Sequence, residues 1–88
     1  MNVKTEYKGY VLELQRSLGG IRFVVNGEIR GMSGGKLLAH KIDQSFEAEL
    51  SEGMCQGEIL RAELKLGWVF DRVLFYHGDK LICEKKIF

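Results

Sequence analysis

The dipeptide Asn26-Gly27, set between Ile21-Arg-Phe-Val-Val and Glu28-Ile-Arg-Gly-Met32, constrains this chain more than any other feature. Asn and Gly tolerate the positive φ that a tight hairpin loop demands, and the β-branched and aromatic residues before them favour extended backbone. A β-hairpin is therefore expected over Ile21–Met32. A two-residue loop would set Val25 against Glu28 and Phe23 against Arg30, mixing apolar and charged side chains on the face that carries Ile21. A three-residue loop of Val25-Asn26-Gly27, with Gly27 in the left-handed position of a bulge, pairs Phe23 with Ile29 and Val24 with Glu28. Ile21, Phe23 and Ile29 then share one face, and Arg22 opposes Arg30 as a mildly unfavourable like-charge pair. The three-residue loop is the predicted form.

Strands can be read outward from this hairpin. Tyr10, Leu12 and Leu14 fall on one face of a strand from Tyr7 to Gln15, and Ser17-Leu18-Gly19-Gly20 turns it into the hairpin, giving a three-stranded meander by Met32. Farther on, Leu60, Ala62, Leu64 and Leu66 alternate with Arg61, Glu63 and Lys65, the pattern of a half-buried strand. Trp68-Val-Phe-Asp-Arg-Val-Leu-Phe-Tyr76 predicts a strand buried on much of both faces. His77-Gly78-Asp79 makes a loop, and Lys80–Phe88 a final strand whose apolar end, Ile87-Phe88, docks on the domain or on another chain.

Lys36–Leu50 supports two readings. As a helix it has good formers and a stripe of Leu38, Ile42, Phe46 and Leu50. As two short strands broken at Asp43-Gln44-Ser45, it places Phe46, Ala48 and Leu50 on one face, with Glu47 and Glu49 on the other. Strands are preferred, because within a helix Glu49 would intrude on the apolar stripe. Glycine turn signals recur at roughly the 8–12-residue spacing of small β folds. The expected fold is all-β, a small antiparallel meander sandwich or barrel of seven to eight strands. The alternative is α+β, with one helix at 36–50 packed on an antiparallel sheet.

The 88 residues fit a single small globular domain spanning 1–88. No run approaches the roughly 18 apolar residues of a membrane span, and the N-terminal Met-Asn-Val-Lys-Thr-Glu-Tyr-Lys lacks the apolar core of a signal peptide. Two cysteines without framework spacing fit reduced thiols, so a cytoplasmic location is expected. Residues 1–41 carry seven Lys/Arg against three Glu, whereas 42–63 carry six acidic residues against one Arg. Such alternation can bring oppositely charged surfaces of two copies together, or simply solvate the strands.

No constellation with reactive spacing stands out. His40, Cys55, His77 and Cys83 are the right residue types for zinc but lack any knuckle spacing, so no metal and no cofactor is expected. Cys55 with His40 or His77 is a conceivable nucleophile and base, but nothing in the spacing joins them. Glu47 and Glu49 read as solvent-facing residues rather than an acid/base pair. Ser33-Gly34-Gly35-Lys36-Leu37 is similar to the end of a phosphate-binding loop, yet has Leu37 where Ser or Thr is required. Trp68, Phe70, Arg72, Leu74 and Tyr76 share a parity and could stack bases, although Trp68 and Phe70 are expected in the core of so short a chain.

The expected function is that of a non-catalytic β-domain acting through protein–protein contacts with another protein or itself, as in a homodimer. Trp68, Phe70, Arg72, Tyr76, Ile87 and Phe88 form its candidate interaction surface. The alternative is a small barrel binding single-stranded nucleic acid or a small ligand through the aromatic strand. Membrane association is not expected.

Overall fold

Alternation of dry and wet side chains produces eight antiparallel strands in the computed structural model, which describes residues 2–17, 20–33 and 44–87. One sheet contains β1 (Asn2–Tyr7), β2 (Tyr10–Ser17), β3 (Gly20–Val25) and β4 (Glu28–Ser33), in that order. The other contains β5 (Gln44–Glu49), β6 (Ile59–Lys65), β7 (Asp71–His77) and β8 (Lys80–Ile87). Within each sheet every strand pairs with its neighbour in sequence, the simplest up-and-down connection. Among the described residues no ladder joins the two sheets, so the fold is a sandwich and not a closed barrel. Their edges are instead clipped by side chains. Arg30 on β4 donates to the Glu49 carbonyl on β5 at 2.6 Å, and Lys85 on β8 donates to the Lys4 carbonyl on β1 at 2.7 Å.

The core is the space between the facing sheets. Leu12, Leu14, Ile21, Phe23 and Val25 meet Phe46, Ala48, Leu60, Ala62, Leu64, Val73 and Phe75 there, as the period-two pattern requires. Ala62 lies between Phe46 and Phe75 in one cross-strand row, a small residue making room for two rings. Among the described residues no polar or charged residue is buried.

Four expectations are corrected by the structure. The first concerns the hairpin. Asn26 and Gly27 both adopt positive φ (51° and 80°), so the loop has two residues and Val25 faces Glu28. The feared clash of Phe23 with Arg30 is avoided because β4 bulges at Arg30, which brings Gly31 opposite Phe23. The extra residue thus resides in the strand, leaving Ile29 49% exposed and Arg22 opposite Met32. Asn26 favours this arrangement by exchanging hydrogen bonds with Val11: its amide donates to the Val11 carbonyl at 2.9 Å, and its Oδ1 accepts from the Val11 amide at 2.8 Å.

Second, the strand expected from Tyr7 begins at Tyr10. Lys8 and Gly9 reverse the chain with φ of 47° and 85°, and an additional strand, β1, precedes them. Third, the helical alternative for 36–50 fails at its second half. Gln44–Glu49 is strand, with Phe46 and Ala48 buried and Ser45, Glu47 and Glu49 outward; the turn expected at 43–45 is not formed at Gln44 and Ser45. Residues 36–43 lie outside the described residues. Fourth, the strand expected from Trp68 starts only at Asp71, so Trp68 does not fill the core but stands in solvent.

The register makes a direct test. Phe23→Ala removes a fully buried ring and should cost about 3–5 kcal/mol. Ile29→Ala, which the three-residue loop would have made equally damaging, should stay within about 0.5 kcal/mol. Urea denaturation of the two variants measures the contrast.

Candidate functional site

The meander sorts its connections between two ends. At one end lie the turns 8–9, 26–27 and 78–79 together with the longer β5–β6 loop; at the other lie the start of β1, the end of β8 and the β6–β7 loop.

The β5–β6 loop is closed by backbone bonds from the Leu50 amide to the Glu58 carbonyl and from the Gly57 amide to the Leu50 carbonyl, at 2.9 and 2.8 Å. Tyr10 reaches into it from β2. Its hydroxyl donates to the Glu52 carbonyl at 2.6 Å and accepts from the Cys55 amide at 2.9 Å. Gly53 permits the approach, since a Cβ there would lie 2.6 Å from the Tyr10 oxygen and the backbone has φ +88°. Cys55 is thereby folded inward and buried. Glu58 follows one turn later, its amide donating to the Cys55 carbonyl at 3.0 Å.

His77 arrives from β7. It is the last residue of that strand, paired with core-facing Leu60, which aims its ring at the same mouth. Its Nδ1 lies 2.7 Å from the Tyr7 hydroxyl and its Nε2 2.9 Å from Glu58 Oε1. The Tyr7 and His77 rings meet edge to face with centroids 5.4 Å apart. Cys55, Glu58 and His77 each offer a ligand atom, and the three atoms lie within 4.8 Å of one another. Both ring nitrogens of His77 are engaged by Tyr7 and Glu58, so a Cys55–His77 nucleophile and base pair is not formed in this arrangement.

The sequence singled out Cys55 and His77 without a reason to join them. Glu58 and Tyr7 were missed. Cys55-x-x-Glu58 is the one sequence signal that could have raised Glu58, whereas Tyr7 becomes visible only once the two sheets are stacked. Cys83 sits opposite Phe75 on β8, outside this group, and His40 lies outside the described residues, as do Gly34 to Leu37 of the glycine-rich segment.

The opposite end carries Trp68 and Phe70. Asp71, the first residue of β7, accepts from the Gly67 amide at 3.2 Å and from Arg16 on β2 at 2.8 Å, tying the β6–β7 loop to the facing sheet. The loop is so tight that a Cβ on Gly67 would lie 2.2 Å from the Phe70 carbonyl oxygen. Trp68 is fully exposed at its tip and Val69 is 80% exposed. Phe70 is half-buried with the Lys86 ammonium 4.9 Å from its ring centre. Arg72 pairs with Glu84 at 3.1 Å, and toward the His77 end of the same strand Arg61 lies 4.4 Å over the half-buried Tyr76 ring. Ile87 packs against the core, and Phe88 lies outside the described residues. Of the expected surface, Trp68 and Arg72 are thus openly exposed and Ile87 is structural in part.

Burial raises the Asp71 carboxyl pKa, but hydrogen bonds from Arg16 and Gly67, with the Arg16 charge, outweigh it and hold the pKa below its ordinary value of 3.8. Among the described residues no helix is long and apolar enough to cross a membrane. Comparison with protein families, curated proteins and solved structures finds no match to this chain.

Two outcomes follow from these contacts. Tyr10→Phe leaves the Cys55 amide and the Glu52 carbonyl without their partner and should destabilise the fold by about 1–3 kcal/mol in urea titrations. Because the Asp71 pKa is depressed on folding, its stabilisation is complete above about pH 4 and lost as pH falls through the lower folded value. Asp71→Asn should therefore be less stable than wild type at pH 7, with the difference shrinking as the pH is lowered below about 4 in a series of denaturation curves.

Proposed function

We propose that this chain is a non-catalytic contact domain that binds protein through the Trp68–Val69 tip, with a second copy of itself as the first partner to test. The observation that carries this reading is a fully solvated indole on a loop tied down by Asp71. Burying a Trp removes roughly 150–250 Å² from water, worth about 4–6 kcal/mol before the costs of association. A preorganised loop loses little further entropy on docking. Met32, 64% exposed near the end of β4, adds apolar surface at the same end of the sandwich.

Charge supports self-contact. Glu47, Glu49, Glu52 and Glu58 project from β5 and its loop, while Lys65, Arg72 and Lys86 form a cross-strand row near the other end of the same sheet. Such a bipolar sheet is complementary to a second copy laid head to tail. The engagement of both His77 nitrogens supports the absence of catalysis at Cys55.

A second reading rests on that same basic row. Three cations directly opposite one another repel, and Glu63 and Glu84 offset this only in part, so a polyanion laid beside Trp68 and Phe70 would relieve it. Single-stranded nucleic acid has the required faces and charge. Since Trp68 is wet in the free chain, its starting emission does not separate the two readings; its response to added oligonucleotide does.

Light scattering coupled to size-exclusion chromatography tests the main reading. The mass should rise above 10.0 kDa with concentration, with a blue shift of Trp68 emission, and Trp68→Ala should remain at monomer mass. A wild type that stays monomeric with unshifted emission removes self-contact. Quenching by an oligonucleotide that salt reverses would favour the second reading.

A further inference from the structure

The geometry points to a zinc-binding site made by Cys55 Sγ, a Glu58 carboxylate oxygen and His77 Nε2, at the opposite end of the sandwich from Trp68. The donors are a thiolate, an imidazole and a carboxylate, the three side-chain types that zinc accepts, and they come from two separate elements that the register of β6 and β7 brings together. Tetrahedral zinc holds such donors roughly 3.3–3.6 Å apart. Here they lie within 4.8 Å of one another, with His77 Nε2 and Glu58 Oε1 at 2.9 Å, so movements on the order of 1 Å would seat the ion.

Three further features prepare the site. The Tyr7 hydroxyl at 2.7 Å on Nδ1 is the outer partner that a ligating histidine needs, fixing the ring with Nε2 toward the metal. When Nε2 ligates, the ring proton resides on Nδ1 and is donated to the Tyr7 oxygen. The Tyr10 hydroxyl holds the Cys55 amide and so anchors the thiol-bearing turn before any ion arrives. Burial differs among the ligands: Cys55 is buried, His77 half-buried and Glu58 exposed, so a fourth position opens toward solvent on the Glu58 side, where water completes the tetrahedron. On binding, the Cys55 S–H bond is exchanged for an S–Zn bond and the proton leaves to water.

The ion would link the β5–β6 loop to the end of β7, with Tyr7 of the facing sheet supporting His77 from behind. Binding at this end is independent of the tip that carries the proposed protein contact, so Trp68→Ala should bind metal as wild type does.

Cobalt(II) is the probe, because it takes zinc's geometry and absorbs. The full chain, stripped with chelator, should take up one equivalent of cobalt(II). A thiolate-to-cobalt charge-transfer band should appear in the near ultraviolet with visible bands of tetrahedral strength, and added zinc(II) should abolish both. Cys55→Ser should lose the charge-transfer band, and Cys83→Ser should retain it. His77→Gln and Glu58→Gln alter side chains nearer the surface, and circular dichroism checks that they fold. Each should weaken cobalt binding by about tenfold or more, and Tyr7→Phe by about 10–100-fold. The wild-type melting temperature should rise with zinc concentration and that of His77→Gln should not. Failure of the wild type to take up cobalt(II) in hundredfold excess would overturn the site. So would a charge-transfer band that survives in Cys55→Ser or vanishes in Cys83→Ser.

Discussion

Two sheets with one dry face each have a single way to remove both faces from water, and that is to stack. Leu12, Leu14, Phe23, Leu60, Leu64, Val73 and Phe75 are all close to fully buried in the resulting seam, and hydrogen bonds cannot substitute for them because no ladder joins the sheets among the described residues. The hydrophobic contact is therefore what sets the relative placement of residues on different sheets. Tyr7 meets His77, Tyr10 enters the β5–β6 loop and Arg16 reaches Asp71 only because the seam brings the faces to this distance. Each of these polar contacts crosses from one sheet or its loops to the other. They fix alignment along a surface whose attraction is not directional.

The strands that alternate cleanly were legible from the residues alone. Leu60, Ala62 and Leu64 on β6, and Tyr10, Leu12 and Leu14 on β2, are buried as their spacing implies. The strand at Gln44–Glu49 was harder because Glu and Ala are good helix formers; pairing with β6 overrides that preference, as sheet contacts commonly do. Turn chemistry was the weak point. Lys8 carries no signal for a left-handed conformation, and Gly9 alone did not mark the first reversal; the bulge at Arg30 let the hairpin keep a two-residue loop that face-matching had rejected.

Trp68 was misread for a different reason. Volume reasoning assigns the largest side chain of a small domain to its core, but Phe23, Phe46 and Phe75 already fill this one. What expels Trp68 is local: the Asp71 carboxylate holds the Gly67 amide, and of the three residues between them the tight turn projects Trp68 and Val69 into solvent. The candidate metal ligands were half legible in the same sense. Cys55 and His77 were noticed as residue types, but their meeting depends on His77 being the final residue of a strand in register with Leu60 rather than part of a loop.

The connections at the Tyr10 end differ in how much chain they use. Reversing an antiparallel strand takes two residues, and three of the four connections at the Tyr10 end, at 8–9, 26–27 and 78–79, use no more. The fourth runs from Leu50 to Glu58 and spends its surplus folding Cys55 inward beneath Tyr10 while holding Glu58 at the rim. Closing the hairpin does not require that length, and a backbone already bonded from Leu50 to both Gly57 and Glu58 could have turned within fewer residues. Rigid strands with one elaborated loop are how a small fold separates holding its shape from presenting chemistry. In this chain the elaboration falls where sulfur, nitrogen and oxygen donors converge, and the equally constrained loop at the other end presents an indole instead.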